Sequence, residues 1–221
     1  MDVSNIVQTV AIYALPVLFA ITLHEAAHGY VARHFGDMTA YAQGRISLNP
    51  ARHIDLVGTI IVPIAILLAT KLAGSSGFLF GWAKPVPVNY SALKHPKRDM
   101  MWVAAAGPAS NLVMALGWAL LYKLGVAIGP GDYAAPLKLM SVAGIEVNLV
   151  LMLLNLLPIL PLDGGRIVAS LLPARMSWQY SKLEPWGFPI LLLLMFSGYL
   201  GVILAPMIRT SFNVIGTVFR F

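Results

Sequence analysis

Five long apolar stretches separated by short polar connections organise this chain. In order, segments A to E run from Ile6 to Leu23 and on into a polar cluster, from Leu56 to Thr70, from Met101 to Tyr122, from Leu139 to Leu157, and from Phe188 to Ile208. Several approach the ~20 apolar residues that span ~30 Å of hydrocarbon. The pattern predicts helices over about 5–35, 56–73, 101–127, 137–157 and 187–209. Ser4 is an acceptable N-cap for the first, Phe35-Gly36-Asp37 supplies its stop, and Pro16 is a candidate kink.

The connections carry a different signal. Polar and apolar residues alternate around Arg45–Leu48 and close on Asn49-Pro50, which predicts a short strand. After B, the stretch "GWAKPVPVNY" holds Pro85 and Pro87, which bar a helix and suit an edge strand or a polyproline run. Segment D ends in "NLLPILPLDGGRIV", where Pro158 and Pro161 break the helix and Gly164-Gly165 permit tight backbone. The expected fold class is an all-α polytopic membrane protein of about five hydrophobic helices, with short extended or β segments beside them. One integral-membrane domain takes up residues 1–221. Gly125 and Gly129 have GxxxG spacing, suited to close helix packing.

Composition sharpens this reading. The chain is 58% hydrophobic and only 11% charged, where a soluble domain carries roughly 25% charged residues. The net charge of +6 is spread over short loops, as the positive-inside rule requires of a membrane protein, and argues against a nucleic-acid partner. With no cysteine, disulfides and thiolate sites are excluded, and a metal must be held by histidine and carboxylate. The N-terminus lacks the basic region of a cleaved signal peptide, so segment A is expected to persist as a helix.

Against that apolar background stands "ITLHEAAHGY", residues 21–30. Ionisable residues inside a membrane helix are costly and mark function. "HEAAH" fits H-E-x-x-H: His24 and His28 lie on one helix face and can present nitrogens to one metal ion. Glu25 is rotated about 100° from His24, able to reach a metal-bound water but awkward as a third ligand. Zinc lowers the pKa of its water to about 7, and a neighbouring carboxylate can then take the proton. His24 and His28 are therefore candidate ligands and Glu25 the candidate general base.

A catalytic zinc site keeps three protein ligands and one open position. Asp163 in "PLDGG" is the best candidate for the third, although an Asp-Gly pair by itself usually makes a turn. Asn155, eight residues upstream among leucines, either satisfies backbone or donates to the oxyanion formed as water attacks a peptide carbonyl.

"HEAAH" followed by "NLLPILPLDGG" resembles the site-2 protease family, peptidase family M50, of intramembrane zinc metalloproteases. "GRISLNP", "GWAKPVPVN" and "GPASN" resemble its compact prokaryotic branch without PDZ or CBS domains. The resemblance implies one Zn2+ per chain on His24, His28 and Asp163, Glu25 as acid/base, and Asn155 as a substrate-positioning or oxyanion residue. It also implies transmembrane proteins as substrates, the lipid bilayer as surroundings, and a multi-pass location in the cell membrane with the site toward the cytoplasm. The alternative class is a non-hydrolytic metal-binding membrane protein, a sensor, scaffold or transporter. A closed structural site would need four protein ligands and would leave Glu25 without a purpose.

The metal requirement also constrains topology. His24 and His28 lie toward the C-terminal end of A, with Phe35 only ~10 Å further along, and Asp163 follows the C-terminal end of D. A and D must then run in the same direction, so B makes no net crossing. It is either re-entrant, or it crosses and the chain returns in extended form buried in protein. Arg33, Arg45, Arg52, Lys84, Lys94, Lys97, Arg98, Arg166, Arg175 and Lys182 would share the cytoplasmic face, leaving Lys123 and Lys138 opposite. Gly44–Leu48 or Lys84–Val88 is a candidate edge for strand addition to an unwound substrate. Glu146 is placed to pair with a polar group on C or to snorkel, and His53 to approach the metal or sit at the interface. Trp178, Tyr180 and Trp186 fit an aromatic belt.

Overall fold

In hydrocarbon a chain must satisfy its own backbone hydrogen bonds, so uninterrupted apolar runs become helices. The computed structural model describes residues 3–62, 65 and 83–221. In chain order the α-helices are α1 (Val3–His34), α2 (Thr39–Ala42), α3 (Pro96–Ala127), α4 (Ala134–Asn155), α5 (Asp163–Leu171), α6 (Ala174–Ser181), α7 (Glu184–Phe196) and α8 (Tyr199–Phe219). Among the described residues, four (α1 from Val7, α3, α4 and α8) are long and apolar enough to cross a membrane, and no strand occurs.

Polar contacts between the helices give their directions. On α1 and α4 residue numbers rise together: Tyr13 donates to Glu146 (3.3 Å), and further along His24 meets Asn148 through Asn111. On α3 they fall as those on α1 rise, because Asn111 bonds Ala20 and His24 while Val103 bonds His28. Helices α1 and α4 are thus parallel and α3 antiparallel to both, the arrangement demanded by a shared metal site. Lys94 N–H donates to Phe35 O at 3.0 Å, so the connection from α1 to α3 begins and ends at one face and makes no net crossing. Its start holds a π-helix, Leu56–Ile61, capped by Asp55; most of the helix expected over 56–73 lies outside the described residues.

Small residues let α3 and α4 approach. A Cβ on Gly125 would meet Lys138 Cγ at 3.0 Å, and one on Gly144 would fall 2.3 Å from the Trp118 ring. Gly129 does not share that packing role: it has open space around it and a φ of +79°, in the left-handed region that ends helices. Ala115, Trp118, Ala119, Ile145 and Leu149 form the buried seam, with Ile215 from α8 against it.

Segment E departs from the single helix expected over 187–209. Gly198, with φ of +79°, separates α7 from α8, and the 13 residues of α7 reach only about 20 Å at 1.5 Å per residue. The strand expected at Arg45–Leu48 is also absent. The Arg45 guanidinium donates to Lys84 O and Pro85 O at 2.9 and 3.3 Å, and His53 Nε2 bonds Ser47 O at 2.8 Å. Side chains thus occupy carbonyls that a ladder would need. Residues 83–89 run outside regular structure; Lys84 N–H goes to His53 O and Val86 N–H to Glu25, and the prolines have no N–H to give.

Candidate active site

His24 and His28 stand one turn apart on α1, both buried, with their Nε2 atoms 3.1 Å apart. Asp163 reaches them from the first residue of α5, its Oδ2 3.2 Å from His24 Nε2 and 3.4 Å from His28 Nε2. This placement depends on the glycines that follow. A Cβ on Gly164 would lie 2.3 Å from Leu156 O, and one on Gly165 2.5 Å from Leu160 N. Only without side chains there can α5 fold back against the turn that leaves α4.

Hydrogen-bond partners assign the imidazole tautomers. His24 Nδ1 lies 2.6 Å from Asn111 Oδ1, and His28 Nδ1 lies 2.7 Å from Val103 O; both oxygens accept, so each Nδ1 carries a proton. In the neutral rings both Nε2 atoms then expose lone pairs, aimed at each other and at a carboxylate oxygen that receives no aligned hydrogen bond. Three electron-rich atoms within 4.8 Å of one another repel unless a positive charge sits among them. The donor set of two imidazoles and one carboxylate is one that zinc accepts, and the residues present fit that ion. Protons compete for the same atoms. Burial pushes the Asp163 carboxyl up, but where Nε2 of His24 and His28 carries a proton instead of a lone pair, hydrogen bonds and charge from the two rings outweigh burial and hold the carboxyl down at about 2.

Space for an ion comes from Gly107 on α3, where a Cβ would lie 2.4 Å from His28 Nε2 and 2.6 Å from His24 Nε2. The trio opens on a cavity of about 680 Å3 lined also by Glu25, Pro85, Val86, Asn155 and Arg166. Glu25 Oε2 accepts Val86 N–H at 2.8 Å. Asn155 ends α4 at the cavity wall and donates from Nδ2 to Leu151 O at 3.0 Å.

All five residues singled out from the sequence therefore border one cavity. His53 does not join them; it is buried and bonded to Ser47 O. Glu146 pairs with Tyr13 of α1 rather than with α3. Gly107 and Asn111 bound the "GPASN" motif quoted from the sequence, but neither was given a role there, and Asn148 and the Val103 carbonyl were passed over. Asn111 and Asn148 did carry a signal, since each is an amide set in an apolar segment, the same mismatch that drew attention to His24 and His28.

The model of "Peptidase family M50" matches residues 126–197. The chain is 38% identical over 200 residues to "Putative zinc metalloprotease YwhC" of Bacillus subtilis (strain 168), covering 89% of this chain and 85% of that protein. It is 29% identical over 178 residues to "Putative zinc metalloprotease Rip2" of Mycolicibacterium smegmatis (strain ATCC 700084 / mc(2)155), covering 80% of this chain and 64% of that protein. No solved structure matches the chain. The likeness to YwhC extends over most of both chains, and on it the chain is a multi-pass membrane zinc metalloendopeptidase that belongs to peptidase family M50.

Proposed function

We propose that the protein hydrolyses peptide bonds in or next to the transmembrane segments of other membrane proteins, with one zinc ion per chain held by His24, His28 and Asp163. One observation carries this reading: the lone-pair trio and a general-base carboxylate border one cavity among helices apolar enough to span a bilayer. When bound, zinc supplies Lewis acidity toward the scissile carbonyl and lowers the pKa of water. Glu25, held by Val86 N–H, takes a proton from the attacking water and returns it to the departing amide nitrogen. Asn155 uses one N–H of its amide on Leu151 O and has a second for the substrate carbonyl oxygen. The extended residues 85–88 line the cavity on the side where Val86 meets Glu25.

The basic residues support a cytoplasmic site. Arg33 lies in the last turn of α1, and Arg45, Arg52, Lys84 and Lys94 lie on the connection whose two ends meet at Phe35 and Lys94, whereas Lys123 and Lys138 flank the opposite turn. A non-hydrolytic closed site would require a fourth ligand, and among the described residues only these three converge. The test is wild type against Glu25→Gln, purified in detergent and assayed for zinc content and cleavage of a transmembrane peptide. Equal zinc near one per chain with at least 100-fold slower cleavage is expected. Undiminished cleavage by the variant would overturn Glu25 as base, and zinc-independent cleavage would overturn the metal site.

A further inference from the structure

His28 and His24 are oriented by different means. The Nδ1–H of His28 meets a backbone carbonyl, Val103 O, whereas that of His24 meets a side chain, Asn111 Oδ1. Asn111 is completely buried, and so is Asn148, to which it is joined. Asn111 Nδ2 donates to Asn148 Oδ1 at 3.0 Å and to Ala20 O at 3.3 Å, and Asn148 Nδ2 donates to Gly144 O at 2.8 Å. Backbone carbonyls only accept, so Ala20 O and Gly144 O fix which way both amides face. That leaves Asn111 Oδ1, and no donor, pointing at His24.

We infer that Asn111, set by Asn148, is a positioning residue of the metal site, which selects the His24 tautomer with its lone pair on Nε2 and aims it at the ion. The inference rests on the zinc-site reading above and adds residues outside the ligand set. Polarity runs one way along the chain Gly144 O, Asn148, Asn111, His24. Each member donates toward the Gly144 end, so the last acceptor is spent on an imidazole N–H. The relay also links three helices, α4, α3 and α1, so the aim of His24 depends on their mutual register. Metal-bound imidazoles commonly donate their second N–H in this way, and losing such a partner weakens metal binding 10–100-fold.

A merely structural amide predicts a different order of variants. In Asn111→Leu the branched shape is kept and the acceptor is lost. In Asn111→Asp the acceptor is kept, but a carboxylate is set against Ala20 O and Asn148 Oδ1, at a cost in stability. If Asn111 only filled space, Leu would be tolerated and Asp would be the damaging change for zinc as well as for the fold. If it positions His24, the two readouts cross. Zinc affinity, measured on the full-length protein in detergent by competition with a chromogenic chelator, should fall 10–100-fold in Asn111→Leu and stay within about threefold of wild type in Asn111→Asp. The melting temperature should fall more in Asn111→Asp. Asn148→Leu, acting through Asn111, should weaken zinc binding less than Asn111→Leu.

Wild-type affinity in a folded Asn111→Leu protein, or equal losses in Leu and Asp, would overturn the positioning role. Should Asn111→Leu fail to fold, Asn148→Leu with unchanged zinc affinity would overturn the relay. If the wild type itself binds no zinc, it is the site reading that fails, and that result is distinct from the others.

Discussion

Gly107→Ala adds one methyl group and should remove the metal. Two effects oppose each other in this substitution. Exchanging glycine for alanine inside a helix contributes about 0.5–1 kcal/mol of stability, whereas overpacking a filled interior costs roughly 1–3 kcal/mol. The geometry decides between them. The new Cβ would sit 2.4 Å from His28 Nε2 and 2.6 Å from His24 Nε2, where real Cβ atoms stay beyond 3.0 Å. The imidazole nitrogens must retreat by about 0.4–0.6 Å, beyond the ~0.2 Å tolerance on metal–ligand distances. They cannot do so freely, since Asn111 and Val103 hold both Nδ1 atoms. Zinc content after purification and chelator competition should therefore fall on the order of 100-fold, with cleavage lost in proportion. Gly117→Ala in the same helix is the control, because nothing lies within 4 Å of its Cβ; it should keep its zinc and melt slightly higher. Full zinc occupancy and activity in a folded Gly107→Ala protein would refute the placement of the ion between α1 and α3.

Two further predictions address the other ligand and the topology. Gly164→Ala brings a Cβ to 2.3 Å from Leu156 O and 2.4 Å from Leu157 O, backbone atoms that cannot rotate away. It should displace Asp163 and lower zinc affinity at least 10-fold by chelator competition; unaltered affinity would show that α5 does not need this close return. The chain lacks cysteine, so Ser47→Cys and Ser91→Cys proteins in sealed vesicles should label with an impermeant maleimide from the same side. Labelling from opposite sides would contradict parallel α1 and α4.

The parts of the fold that were legible in the sequence are those that local chemistry dictates. His24 and His28 declare themselves because four residues is one helical turn, and because apolar neighbours make the pair too costly to be incidental. Asp163 follows because a catalytic ion needs a third ligand and a carboxylate stands at a broken helix end. The direction of α4 follows from Asp163, and with it the absence of a net crossing between α1 and α3. Hydropathy alone would have opposed α4 to α1. What stayed hidden depends on register between helices. Segment E reads as one apolar run, and Gly198 is one of several glycines that the run could absorb without breaking. The strand at Arg45–Leu48 had the right alternation but no free partner, since Arg45 and His53 take the carbonyls first. Asn111 illustrates the limit best. Its neighbours along the chain are small residues that suit helix packing, and nothing local shows that an imidazole from another helix will stop 2.6 Å from its amide oxygen. Its membrane setting still makes a demand, because a buried amide in an apolar helix is destabilising unless its hydrogen bonds are made. Applied to Asn111 and Asn148 as strictly as to the histidines, that demand leads to the same site from the opposite helices.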